Sequence, residues 1–412
     1  MTVLRFLTAG ESHGPTLMGI IEGMPAHLDL VEDDVNRQLA RRQKGYGRGG
    51  RMAIETDTVQ ILSGVRWGKT LGGPIGLAVV NRDWENWQDT MAIGPPTKAS
   101  ESEPMTRPRP GHGDLAGMLK YRTKDARNIL ERASARETAM RVAVGAVARR
   151  LLEHFGMVVS SHVVQIGDVM ATDGGRGGDW IREKAETSPL RCADDRATEQ
   201  MMAAIDHARA TGDSLGGIFE IIAEHVPAGL GSHVHWDRRL DGRLGQALMS
   251  IPAIKAVEIG MGRESGLRPG SQVHDEIHYH GTGADCKREA FYWQGRHWPT
   301  AGGFYRSTNR AGGIEGGMTN GSPIVVRATM KPIPTLYKPL SSVDLDSLEP
   351  IAAGIERSDV CAVPAAAVVG EAMVSWVLAE AFLEKFGGDS VKEIEASFKE
   401  YLLSLCPGQI KG

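Results

Sequence analysis

The chain has 412 residues, 41% of them hydrophobic and 24% charged, an ordinary globular composition with enough length for a large core. A net charge of −4 gives no general attraction for nucleic acid. Cys192, Cys286, Cys361 and Cys406 form no CxxC pair and read as reduced thiols. With no leader and no spanning run of about 18 apolar residues read from the sequence, a cytoplasmic protein free of the membrane is expected.

Residues 3–8 read as a strand ending in the polar turn Ala9-Gly-Glu-Ser-His-Gly14, and residues 17–21 as a second strand. Residues 32–43 read as a helix stopping at Gly45. Residues 36–51 carry Arg37, Arg41, Arg42, Lys44, Arg48 and Arg51 with no acid, a local positive patch in an acidic chain. The tip Gly45-Tyr-Gly-Arg-Gly-Gly50 matches G-x-G-x-x-G. It follows a basic helix and precedes a strand, the reverse of a dinucleotide site, so that reading is rejected. Strands at 59–62 and 77–81 lead into a long loop over 84–104.

Next comes Arg107-Pro-Arg-Pro-Gly-His-Gly-Asp114, in which proline and glycine set an unusual backbone around one His and two Arg. Residues 125–155 then read as the helix that follows it. Its Arg127, Arg132, Arg136 and Arg141, spaced five, four and five apart, share one broad face. Strands at 158–166 and 217–226 flank a helix at 198–210. A helix at 237–250 and the segment 256–262 follow, then a His-rich loop. A glycine-rich loop, 309–321, leads to a strand at 324–330 and the turn Lys331-Pro-Ile-Pro-Thr335. Residues 365–386 read as a buried apolar helix and 391–405 as a surface helix. The order of elements points to an α+β fold.

Two histidines, His13 and His112, lie in glycine turns, where imidazole suits proton transfer near neutrality. Ser12 adjoins His13 without a G-x-S-x-G elbow, which disfavours a serine hydrolase. His233, His235, His274, His278, His280, Cys286 and His297 complete no metal motif and read as polar loop residues. The glycine-rich loop and the Lys331–Thr335 turn suit a phosphate. A phosphomonoester hydrolase and an RNA-binding protein remain as alternatives. The basic run holds one aromatic, Tyr46, and so lacks stacking platforms for single strands.

Together, Gly10–Gly14, Arg41–Arg51, Arg109–Asp114, Glu131–Ala139, Gly212–Ser214, Gly312–Gly317 and Arg357–Asp359 resemble the chorismate synthase family, in order and over nearly the whole chain. The resemblance implies a single domain, 1–412, with a β-α-β sandwich in which helices pack between antiparallel sheets. It also implies a homotetramer. The implied activity is the 1,4-trans elimination of phosphate from 5-enolpyruvylshikimate 3-phosphate, giving chorismate. That reaction needs reduced FMN (FMNH2) without net redox change. By resemblance, His13 protonates the departing phosphate and His112 the reduced flavin. Ser12 and Asp359 support removal of the ring C6 proton through flavin N5. Arg42, Arg48, Arg109, Arg136 and Arg357 bind the substrate's phosphate and carboxylates, for which guanidinium forks are suited. Flavin contacts fall on Arg132, Ala133, Ser134, Gln246, Ala247, Gly316, Lys331, Pro332, Ile333, Pro334, Thr335 and Arg357. The chain departs from the family at Gly113, commonly Ala, and at Ala256, commonly Gly. Residues 281–300 are longer and more aromatic than usual (Phe291, Tyr292, Trp293, Trp298), which suits a subunit contact or a site rim. No added segment is large enough for a flavin reductase, so an external reductase is expected to supply the cofactor.

Overall fold

The computed structural model describes residues 4–49, 56–95, 104–172, 177–279, 290–356 and 358–405. Arg51, His280, Cys286, Arg357 and Cys406 lie outside these. Helix and sheet are mixed. One antiparallel sheet is built from β1 (Arg5–Ala9), β2 (Thr16–Glu22), β3 (Val59–Ser63) and β4 (Ile75–Val80), in the order β1-β2-β4-β3. A second is built from β5 (Val158–Ile166), β6 (Val169–Met170), β7 (Gly217–Glu224), β8 (Ile254–Ile259) and β9 (Ile324–Met330), in the order β8-β9-β7-β5-β6. Every pairing in it is antiparallel. Strand β2 alternates exposed and buried residues, the pattern of a sheet covered on one face.

The helices are α1 (Glu32–Gln43), α2 (Asp114–Tyr121), α3 (Arg127–Ala133), α4 (Thr138–His154), α5 (Gly178–Thr187), α6 (Asp195–Thr211), α7 (Leu240–Met249), α8 (Val363–Phe386) and α9 (Val391–Ser404). Glycines set how closely α4 and α8 approach their neighbours. A Cβ on Gly19 of β2 would meet Met140 of α4, one on Gly145 of α4 would meet Ala372 of α8, and one on Gly370 of α8 would meet Phe219 of β7. Thus α4 lies against the first sheet, α8 against the second, and the two helices against each other. Helix α8 is mostly apolar around its circumference because it is buried over most of its length, as expected for a core helix. It is long and apolar enough to cross a membrane, contrary to the sequence reading, yet 94% of its most apolar window is buried inside the fold.

The helical run over 125–155 does not survive as one piece. Ser134 is extended (φ −66°, ψ 145°) and its hydroxyl accepts from the Arg136 amide, restarting the chain as a single 3-10 turn before α4. Such local capping by Ser competes with continuing a helix. The four arginines therefore take different directions. Two aromatics of the stretch near 290–300 lie in the core and not at a rim. Residues 290–293 and 296–299 form a hairpin, and Trp293 and Trp298 enter the main core beside Phe155 and Phe398. The Trp293 indole donates to the His154 carbonyl at 3.1 Å.

Candidate functional site

A cleft of about 950 Å³ gathers chain from eight places, among them Pro252 and Ala253 just before β8. Ser12 and His13 come from the turn after β1. Arg42 ends α1, with Arg48 and Gly49 just beyond. Asp83 and Trp87 follow β4. Arg109 and His112 come from the Pro-Gly turn, and Ala133 to Arg136 from the corner between α3 and α4. The 331–335 turn after β9 and the segment around Ser358 and Asp359 complete it.

The His13 turn is fixed from behind. The Asn81 amide donates to the carbonyls of Ser12 and Gly14, both at 2.9 Å. The Ser12 amide donates to the Glu131 carbonyl at 2.9 Å, and the Ser134 hydroxyl bonds the Ser12 hydroxyl at 3.2 Å. The Glu131 carboxylate, 2% exposed, meets His13 Nδ1 at 2.9 and 3.0 Å and accepts the His13 amide at 2.8 Å. Trp87 stacks on the imidazole with ring centroids 3.8 Å apart.

The second imidazole has a different frame. His112 Nδ1 lies 2.5 Å from Asp114 Oδ1 and 3.2 Å from an Arg109 nitrogen. Arg109 also donates to Asp114 from its amide, at 3.1 Å, and from Nε, at 2.9 Å. Its Nη1 donates to the Thr335 hydroxyl at 3.1 Å. Burial alone would raise the Asp114 carboxyl, but His112 and Arg109 outweigh it and hold it well below the usual range. Lys331 donates to the Gly111 carbonyl, so the 107–114 and 331–335 turns are tied together at the cleft wall.

The arginines of the α1 end form a third group. Arg42 is buried, donates to the Thr138 hydroxyl and the Ala135 carbonyl at 3.0 Å each, and lies 3.4 Å from Asp57. Arg136 pairs with the same Asp57. Arg48 lies 3.4 Å from Asp359, which also accepts the Gly49 amide at 2.7 Å. Burial, with Arg48 and Arg136 alongside, pulls Arg42 down to about 10. Arg42, Arg48 and Arg136 thus gather three guanidiniums at the cleft, a donor set suited to an entering oxyanion. Gly47 makes the docking possible. At φ +90°, with Cys361 where a Cβ would point, it lets its carbonyl accept the Val360 amide at 2.9 Å.

The cleft therefore brings together Ser12, His13, Arg42, Arg48, Arg109, His112, Ala133, Ser134, Arg136, Lys331, Ile333, Pro334, Thr335 and Asp359. Arg109 is largely committed to Asp114 and Thr335. Arg132 turns away, donating to the carbonyls of Gly10 and Thr8. Pro332 is not part of the lining. Gln246 and Ala247 lie on α7 in a separate groove with Arg238 and Trp376, and Gly316 sits in the hairpin turn of 314–319. Arg357 lies outside the described residues. Sequence reasoning gave no part to Glu131, Trp87, Asp83, Asp57 or Tyr337. Glu131 stood inside a recognised segment, and its four-residue spacing from Arg127 was the only hint. Nothing local marked Asp57 or Trp87, which reach the site through the fold.

The chain matches the chorismate synthase family profile over residues 4–383. It is 58% identical over 401 residues to a chorismate synthase of Pelobacter propionicus, covering 97% of this chain and 98% of that one. It is also 58% identical over 402 residues to one of Geobacter metallireducens, with the same coverage. A crystal structure of chorismate synthase superposes with a TM-score of 0.76 at 44% identity, covering 98% of this chain and 99% of that one. The chain belongs to the chorismate synthase family.

Proposed function

We propose that this cleft carries out the family's reaction, converting 5-enolpyruvylshikimate 3-phosphate to chorismate and phosphate by 1,4-trans elimination in the presence of reduced FMN. The observation that carries the reading is the convergence of two carboxylate-backed imidazoles with the guanidiniums of Arg42, Arg48 and Arg136 in one cleft. Phosphate leaves from one ring carbon and a proton from another, so the substrate loses both without net oxidation.

Arg42, Arg48 and Arg136 hold the substrate's anionic groups and favour the charge growing on the departing phosphate. His13 delivers a proton toward that phosphate. Ser12 and Asp359 line the same cleft and assist removal of the ring proton, while His112 holds a proton on the 107–114 turn. A flavin fits the remaining wall. Leu130, Ala133, Ala253, Met330, Ile333 and Pro334 give an apolar surface, with Ser134, Lys331 and Thr335 as polar contacts. The volume sits at the upper end of the ~300–1,000 Å³ found for ligand pockets, which leaves room for substrate beside cofactor. Bound reduced flavin supplies electron density to the substrate as phosphate leaves.

Flavin contacts from Gln246, Ala247 or Gly316 have to come from a neighbouring copy, in keeping with a homotetramer. The packing of α4 and α8 between the two large sheets supports a single-domain β-α-β sandwich. An external reductase and a cytoplasmic setting complete the proposal. The test is an anaerobic assay with 5-enolpyruvylshikimate 3-phosphate and reduced FMN, oxidised FMN, oxidised FMN plus NADPH, or no flavin. Chorismate with reduced FMN alone is the expected result. Activity with oxidised FMN plus NADPH would overturn the external reductase. Phosphate release without flavin or chorismate would overturn the reading in favour of a hydrolase.

A further inference from the structure

His13 is held on two sides by residues to which the chemistry above assigns nothing. In the ring plane, both Glu131 carboxylate oxygens lie within 3.0 Å of Nδ1. On the ring face, the Trp87 indole stacks at 3.8 Å with 25° between planes. Each clamp is itself braced. Glu131 also accepts the His13 amide at 2.8 Å and Arg127 Nη1 at 3.2 Å. The Trp87 indole N–H donates to Asp83 at 3.1 Å, and the Arg127 guanidinium lies 5.1 Å from the same indole.

We propose that Glu131 and Trp87 are the positioning residues of His13: the carboxylate keeps the proton on Nδ1 and the indole fixes the ring plane, so that Nε2 is the nitrogen presented to the cleft. An ionised carboxylate only accepts hydrogen bonds, so the neutral imidazole beside it must carry its hydrogen on Nδ1. Glu131 stays ionised. Burial alone would raise its carboxyl, but the bonds and charges of His13 and Arg127 outweigh it and hold it below the usual range. When Nε2 gains a proton, the carboxylate in the plane and the indole face above it both stabilise the resulting cation. Other charged groups meet this turn from each side. Glu131 and Arg127 come from α3, Asp83 from the segment after β4, Glu11 from the turn itself, and Glu356 from near Asp359, 4.0 Å from Arg127.

The same logic separates the two histidines. The carboxylate behind His112 is shared with Arg109, whose guanidinium approaches the ring nitrogen directly. The second partner of His13 is an electron-rich indole face. The two imidazoles are therefore suited to different proton-transfer tasks.

The proposal rests on the activity proposed above, and the test separates the two. Purified full-length enzyme and its Glu131→Gln, Glu131→Asp, Trp87→Phe and Trp87→Leu variants are compared in anaerobic single-turnover and steady-state assays with reduced FMN across pH 5.5–9. A wild type that makes no chorismate removes the parent reading. With an active wild type, Glu131→Gln should lower the single-turnover rate ~10-fold to 100-fold while KM stays within about threefold. The alkaline limb of its pH profile should move down by about 1 unit. Glu131→Asp should recover part of the rate, and Trp87→Phe should retain more than Trp87→Leu. A wild-type rate and pH profile in Glu131→Gln would overturn the proposal. So would equal losses in Glu131→Gln and Glu131→Asp with an unmoved profile, which is the signature of a merely structural carboxylate. Should the Glu131 variants fail to fold, the Trp87 pair still decides, because equal activities of Phe and Leu would refute stacking.

Discussion

Replacing Glu371 with glutamine removes one negative charge from the centre of the molecule at almost constant volume. The carboxylate is 2% exposed on α8. It accepts from Arg41 at 2.7 and 2.9 Å, Arg149 at 2.8 Å, Arg191 at 3.0 Å and the Ser161 hydroxyl at 2.6 Å. Burial alone would raise the Glu371 carboxyl, but Arg41, Arg191 and Arg149 outweigh it and hold it at about 2 against an ordinary 4.5. That gap corresponds to about 3 kcal/mol at neutral pH. Arg41 is raised as well, but Glu186 contributes to that, so the carboxylate gives the cleaner measure of the group. An amide in place of the carboxylate turns one acceptor into a donor facing arginine donors. Glu186 and Glu153 still balance part of the charge, which keeps the loss at the low end of the ~3–5 kcal/mol for breaking a buried pair.

Urea unfolding at fixed protein concentration, followed by far-UV circular dichroism, reads the effect. With a slope of ~3 kcal/mol per molar urea, the midpoint at pH 7 should fall by about 1 M. The folded value lies below the unfolded one, so this stabilisation is complete above about 4.5 and is lost as pH falls toward about 2. The gap between wild type and Glu371→Gln should therefore close across that window. Equal midpoints at pH 7, or a gap that persists undiminished at the acid end, would refute the charge argument.

Other outcomes follow from the same contacts. Arg48→Ala should weaken substrate binding by about tenfold, the scale of one charge-assisted bond, and an unchanged affinity by equilibrium titration would remove Arg48 from the anion site. His112→Ala should cut turnover by ~10² or more with substrate binding largely intact, and near-normal turnover would exclude it from the chemistry. Asp57→Asn removes the carboxylate that Arg42 and Arg136 share, so its melting temperature should fall and added phosphate should recover part of the loss, while an anion-independent melt would contradict an anion site at these arginines. The buried Cys361 thiol, pushed up to about 11 by burial, should react with a disulfide reagent only after denaturation.

Periodicity located most elements because the covered faces repeat along the chain. Strand β2 alternates, α1 buries Val35 and Leu39, and α8 is mostly apolar. The break at Ser134 was not legible, because the sequence around it keeps a helical pattern and the interruption is one side-chain cap. The two histidine turns and the basic run after α1 were visible as glycine-framed polar stretches. Their partners were not. Asp57 reaches Arg136 across 79 positions and Glu131 reaches His13 across 118, and no local spacing encodes contacts of that range. Arg109 reads as a ligand clamp; it lines the cleft, and its bonds to Asp114 and Thr335 also brace the turn that carries His112, a part its local spacing did not encode.

The docking of the Gly45–Gly49 turn onto Asp359, Val360 and Cys361 has a consequence for biosynthesis. It joins positions separated by 310 residues, and α8, the helix that fills the space behind it, begins at Val363. During translation the amino-terminal sheet, α1 and α4 emerge well before α8 exists. At roughly 5–20 residues per second the interval from α4 to α8 lasts on the order of tens of seconds. Throughout it the face of α4 that packs on α8 has no covering helix. The nascent chain is therefore expected to depend on chaperone protection, and any fragment ending before α8 to be both inactive and prone to aggregate.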